Sequence, residues 1–176
     1  MRTLAAIFIC FLAAAPLAAQ IDLKNDPLTP DQQDQIAEAG IDPVARVDLY
    51  VKFLNDRADT IESLIKRARS TARSERLSGE LQKFGALLDE LGDNLDVYSQ
   101  RKADVRKSLK GLNDGVKRWH DVLHELPSEP GFELSLKNAL MSAGDLADQT
   151  RQLTSDQEAY FKAHPNEKNQ DRAEPQ

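Results

Sequence analysis

The chain has 176 residues and a single cysteine, Cys10, which lies in the opening stretch MRTLAAIFICFLAAAPLAAQ. Arg2 forms a short basic region there, followed by an apolar run from Leu4 to Ala15, a break at Pro16 and a small-residue exit. This is the pattern of a secretory signal peptide, with cleavage expected after Ala19. Pro16 and the small residues behind it argue against an uncleaved anchor, and Phe8 and Ile9 are too large for a lipid-attachment box. The mature chain is then expected in the periplasm or secreted, without a membrane partner. It has no thiol, so disulfides, thiol catalysis and cysteine metal sites are excluded, and its stability must come from packing.

Other absences narrow the function. There is no glycine-rich phosphate loop, no nucleophile elbow and no kinase-like set of motifs, so an enzyme is not expected and no cofactor is implied. Acidic residues outnumber basic ones 29 to 23, a net charge of −6 that argues against nucleic acid as a partner. No segment alternates with period two, which argues against strands.

What is present is helical spacing. From Leu81 to Leu126 apolar residues recur three and four apart in one phase, through Phe84, Leu88, Leu95, Val105, Leu112 and Trp119, with Lys102 the only slip. Read as one helix, this stretch is about 70 Å long at about 1.5 Å per residue. Gly85 and Gly92, seven apart beside the seam, would let a partner helix come close. A second seam runs from Val44 through Leu54 and Ile61 to Ala72, with no Gly or Pro between Pro43 and Ser78, and the chain is expected to break near Arg76 to Gly79. A third runs from Phe132 to Tyr160, after the strong stop Pro127-Ser128-Glu129-Pro130-Gly131. Thr29, Pro30 and Gln32 open a short helix that Gly40 ends, and Asp42-Pro43 opens the next.

The expected fold is all-α: an elongated, antiparallel, coiled-coil-like bundle of three long helices plus a short N-terminal helix. The alternative is a four-helix bundle with a turn near residues 99–104. Residues 1–19 are the leader, 20–29 a linker, 30–163 a single helical-bundle domain and 164–176 a polar tail expected to be disordered. Charge supports antiparallel pairing, with Lys66, Arg67, Arg69 and Arg73 expected beside Asp89 and Glu90. Lys107, Lys110, Lys117 and Arg118 are expected to face Asp145, Asp148, Asp156 and Glu158.

Two sets of residues stand out as candidate sites. Leu49 and Phe53 lie four apart and off the inward seam of their helix. Either the short helix around Ile36 covers them, with Ile41 beside it, or another protein docks there. His120 and His124 share one helix face in Trp119-His120-Asp121-Val122-Leu123-His124-Glu125 and could chelate a divalent metal, a string similar to the paired-histidine helix of zincins. A catalytic zinc needs a third ligand, and the only other histidine, His164, borders the tail. The preferred reading is two solvent-side histidines flanking a core Trp119.

The string LTxxQ occurs twice, as Leu28-Thr29-Pro30-Asp31-Gln32 and as Leu153-Thr154-Ser155-Asp156-Gln157. Both have the spacing of a capping box. The pair also resembles the repeated motif of the CpxP/Spy group of small helical periplasmic proteins. That resemblance implies an ATP-independent chaperone or envelope-stress adaptor. The chain departs from the group in the long spacing between the strings, its acidic balance and the regularity of its seams. Because seams, caps and charge pairs absorb nearly every patterned residue, the expected function is a non-enzymatic interaction or scaffold protein with a protein partner.

Overall fold

The computed structural model describes residues 26–167. The expected leader and its expected cleavage point lie outside them, as do residues 168–176. Five helices and no strand make up the described residues, so the chain is all-α and its helices pack as a bundle. No described helix is long and apolar enough to cross a membrane.

The short helix α1 (Pro30–Glu38) starts at a reciprocal capping box. Thr29 Oγ1 accepts from the Gln32 amide at 3.3 Å, and the Thr29 amide donates to Gln32 Oε1 at 2.9 Å. Gly40 follows at φ 59°, a left-handed conformation that costs glycine little and lets the chain reverse. Asp42 then caps α2 (Pro43–Ile65) by accepting from the amides of Val44 and Ala45.

Helix α2 stops well short of Ser78. Ser70 caps α3 (Thr71–Arg101) by accepting from the Arg73 amide at 3.2 Å, so the break expected near Arg76 to Gly79 lies at residues 66–70. Ala68 and Ala72, counted in the second seam, are exposed. Small apolar residues extend a pattern on paper without supplying the burial that holds a helix together.

The central stretch is two helices, not one, and the four-helix alternative is the observed fold. Lys102 ends α3 at φ 55°, and α4 (Arg106–His124) begins after a turn made of Lys102, Ala103, Asp104 and Val105. Ala103 and Val105 are fully buried in this turn, which is why the apolar spacing runs through it unbroken. Helix α5 (Glu133–Ala163) follows the Pro127–Gly131 stop and is continuous. Pro165–Glu167 add a 3-10 turn, and the Tyr160 hydroxyl donates to Glu167 at 2.6 Å. Residues 164–167 therefore belong to the folded part rather than to the tail. Leu28, assigned to the linker, is buried in the core.

Helix α2 packs on α3 and α4, and α5 packs on the same two, giving a square in which α3 and α4 occupy one diagonal. Cross-links give the directions. Arg57 meets Glu80 and Tyr50 meets Glu90, so α2 and α3 are antiparallel. Ser108 bonds the Val44 carbonyl and Arg118 bonds Asp59, so α2 and α4 are parallel. Gln149 bonds the Gly92 carbonyl at 2.9 Å and Ser78 bonds Ser135, so α3 and α5 are parallel. A methyl on Gly85 would meet the Ala139 backbone at 3.6 Å, and α5 does pack against the glycine face of α3. Phe84 and Trp119 meet edge to face across the diagonal, 6.4 Å between ring centres.

The square has two distinct ends. One holds the start of α2, the α3–α4 turn and the end of α5. The other holds residues 66–70 and the 125–132 connection.

Candidate functional site

Of the two residues proposed for docking, Phe53 is 0% exposed and joins Leu28 and Ile36 in the core. The expected outer strip is therefore a core face, and Phe53 offers no surface to another protein. The reason is the path of the chain before α2, which folds back along that helix. Arg57 holds the Pro27 carbonyl, and Arg46 Nη1 donates to the carbonyls of Ile36 at 3.2 Å and Gly40 at 3.4 Å. Leu49 is half-buried beside a shallow depression of about 520 Å³ that also touches Ala39, Ala45 and the charged Glu38, Asp48 and Lys52. Ile41, expected to help cover the strip, is 78% exposed.

His120 and His124 are brought together, with ring centres 4.1 Å apart on the solvent side of α4. His120 Nδ1 lies 3.6 Å from Asp121 Oδ1. Between the histidines and the core, Trp119 is fully buried and donates to Asn55 Oδ1 at 2.9 Å. His164 stacks on Tyr160 past the end of α5, next to the Phe161 ring that lies under Arg106 at the start of α4. That puts most of the length of α4, about 27 Å at about 1.5 Å per residue, between it and His124. Among the described residues no group of three or more His, Cys, Asp or Glu side chains is placed to hold a metal.

The two LTxxQ strings do different work. The first is the capping box of α1. The second lies inside α5, where Thr154 donates to the Thr150 carbonyl at 2.8 Å and is not a capping box, because the helix runs on through it. Gln157 is buried and turned inward: it donates to the Ala103 carbonyl at 2.9 Å and accepts from the Val105 amide at 3.1 Å. It thereby satisfies two backbone groups of the α3–α4 turn, the Ala103 carbonyl and the Val105 amide, which would otherwise be buried without partners. Lys102 over Tyr160 and Arg106 over Phe161 add cation–π contacts to the same turn.

A buried polar group also links α2 to α3. The Tyr50 hydroxyl donates to Glu90 Oε1 at 2.5 Å and accepts from Asn94 at 3.4 Å. Burial, and then the hydrogen bond to Glu90, hold the Tyr50 phenol above its ordinary value.

The charge pairing differs from expectation. Glu90 is engaged with Tyr50, while Arg69 and Arg73 both meet Glu129 in the 125–132 connection. Arg118 pairs with Asp59 and Glu62 of α2, and Lys110 with Asp114 of its own helix. The cause is the early end of α2. It leaves Arg73 and Asp89 on one helix, sixteen residues or about 24 Å apart, where the expected arrangement had them facing each other.

The consequence is a basic groove that the sequence reading did not single out. Arg67, Arg76 and Lys83 line a cavity of about 690 Å³ between α2 and α3, with Leu64 and Gly79 among its walls. Glu80 is the one acid on its lining and is engaged by Arg57 at 2.9 Å. Among the described residues none of the three cations has a carboxylate at ion-pair distance. In the sequence the groove is marked only by the seven-residue spacing of Arg76 and Lys83, which becomes a shared face of α3 because that helix begins at Thr71.

Compared with protein-family models, curated proteins and solved structures, the chain matches none of them.

Proposed function

We propose that this chain is a non-enzymatic, extracytoplasmic interaction module, a four-helix bundle that presents charged surface to a protein partner. The observation that carries this reading is the cationic groove beside α3, where three basic side chains have no carboxylate at ion-pair distance among the described residues, in a chain of net negative charge. Elsewhere the prominent polar side chains are occupied within the fold: Gln157 holds a turn, Arg46 and Arg57 bind the segment before α2, and Arg118 ties α4 to α2. The leader-like first nineteen residues supply the compartment. Cross-linking in the intact cell envelope, followed by mass spectrometry, tests the reading. It expects a mature chain beginning at Gln20, cross-linked to another protein. Full-length chain recovered only from the cytosol, or mature chain with no cross-link, would overturn it.

A second reading, a chaperone or stress adaptor of the CpxP/Spy kind, draws on the two LTxxQ strings. Leu134 and Met141, two turns apart on α5 and 71% and 63% exposed, are apolar surface that a client could use. Suppression of aggregation of an unfolded client at equimolar amounts would favour this reading over the first; the interaction module predicts none. The remote third reading, a metal site at His120 and His124, makes metal content in untagged protein the deciding measurement.

A further inference from the structure

We infer that the groove between α2 and α3 binds an acidic segment of a protein partner, an inference that rests on the interaction-module reading and names the chemistry of its partner. Three features point to this occupant. The first is charge. Arg67 sits just beyond the carboxyl end of α2, where the helix dipole favours a cation, but Arg76 and Lys83 lie on the amino half of α3 and gain nothing from either helix end. Among the described residues neither has a carboxylate at ion-pair distance, and Glu80, the one acid on the lining, is paired with Arg57, so the lining carries an excess of positive charge. The second is shape. The cavity is open to solvent and concave, so it can seat a segment of chain against its cations. Gly79 leaves its wall open, because a methyl there would meet nothing within 4 Å.

The third is spacing. Arg76 and Lys83 are seven residues apart on one helix face, about 10 Å at about 1.5 Å per residue. A peptide in the polyproline II conformation has three residues per turn and advances about 3.1 Å per residue, so its carboxylates three residues apart share one face about 9 Å apart and would meet both cations. Diffuse attraction to any polyanion makes no such demand for distance or for an open wall.

Fluorescence anisotropy of a labelled hexaglutamate peptide, titrated with the mature chain in low salt, tests the inference. Hexaserine serves as the blank, and inorganic phosphate and vesicles of phosphatidylglycerol serve as competitors. Saturable binding is expected, weakened by added salt. The double variant Arg76→Glu, Lys83→Glu should weaken it about tenfold or more. Lys107→Glu with Lys110→Glu makes the same change of charge on the exposed face of α4 and should leave binding unchanged. Gly79→Leu narrows the groove without altering charge, suits a helix interior better than glycine, and should also weaken binding. Circular dichroism of each variant confirms that it is folded.

No saturable binding would overturn the inference, as would equal loss in the two charge-reversed pairs. Vesicles that bind the groove and displace the peptide at lower concentration than hexaglutamate itself would overturn it in favour of a lipid surface. If hexaglutamate fails while cross-links in the envelope still join another face to a protein, only this inference falls. If the cross-links fail as well, the interaction-module reading falls with it.

Discussion

Two turns of nearly equal length join the helices of this bundle, and they are finished in opposite ways. The α3–α4 turn buries Ala103 and Val105 completely, and a side chain from α5 bonds its backbone. Residues 66–70, between α2 and α3, are exposed throughout and rest on Ser70 as cap and on Glu129, which meets Arg69 and Arg73. The difference follows from topology. Helices α3 and α4 lie on a diagonal of the square, so their connection crosses the end of the bundle and has to be filled, whereas α2 and α3 are neighbours and their connection stays at the rim. A connection buried across a core needs a partner for every backbone group, and one at the rim can leave that to water. The open end is consequently where charge is left over.

This contrast sets an order for perturbations. The largest loss is expected at Phe53, fully buried in the middle of α2. Phe53→Ser removes a fully buried ring and places a hydroxyl in apolar surroundings, at a cost of about 4 kcal/mol in urea unfolding. A loss below about 1 kcal/mol would return Phe53 to the surface and revive it as a docking residue.

Next comes Gln157→Ala, which strips the α3–α4 turn of both side-chain bonds and is expected to cost about 3 kcal/mol. Hydrogen exchange should show the Val105 amide losing protection. If that amide exchanges no faster, the turn does not depend on Gln157 and the two turns are not as different as described.

Glu129→Gln probes the other end. It removes the charge facing Arg73, whose side chain is only 5% exposed, and is expected to cost about 2 kcal/mol. The loss should appear as faster exchange of amides in residues 66–74, with the α3–α4 turn unaffected.

The Tyr50 phenol yields a pH dependence whose sign can be worked out. Its folded value lies above its unfolded value of about 10, so the unfolded chain ionises first. The stabilisation is complete below about pH 10 and is lost as pH rises beyond it. Thermal melts of the wild-type chain should fall over that range, and those of Tyr50→Phe should fall less.

The smallest effect on stability is expected at the open groove. Arg76→Glu with Lys83→Glu should move the melting free energy by less than about 0.5 kcal/mol, because neither side chain holds another element in place. A large loss would show that these cations are structural and would leave the groove with nothing to offer a ligand.

Much of the fold could be read from short-range patterns. Thr29 with Gln32, Asp42 with Pro43, Gly40, and the Pro127–Gly131 stop each act within a few residues of themselves, and each falls where the sequence puts it. From Leu81 to Tyr98 the expected seam residues are all buried in α3, with Gly85 and Leu87 buried in addition. The end of α2 was misplaced because its signal is a lone Ser70 cap without a Gly or Pro, beside alanines that prolong the apolar pattern. The candidate surfaces fared differently from the helices. For Phe53 the sequence left two covers open, the short helix around Ile36 or a docked protein, and the fold puts it in the core with Ile36; the basic run depends on which segments lie opposite, and no window of sequence contains them.

The sequence by itself determined that the chain is all helical, where three of its helices begin, and which residues face inward along most of their length. Those are properties of caps and periodicity, set by hydrogen bonds and burial patterns that close within one or two helical turns. Only the tertiary structure decided that the central stretch folds back at Lys102, that Gln157 seals the turn it makes, and that Arg67, Arg76 and Lys83 line one groove with no carboxylate at ion-pair distance among the described residues. The physical reason is distance along the chain. Gln157 is 52 residues from Val105 and 54 from Ala103, and Glu129 is 56 from Arg73, so the groups that close a turn or neutralise a charge become neighbours only when the helices assemble.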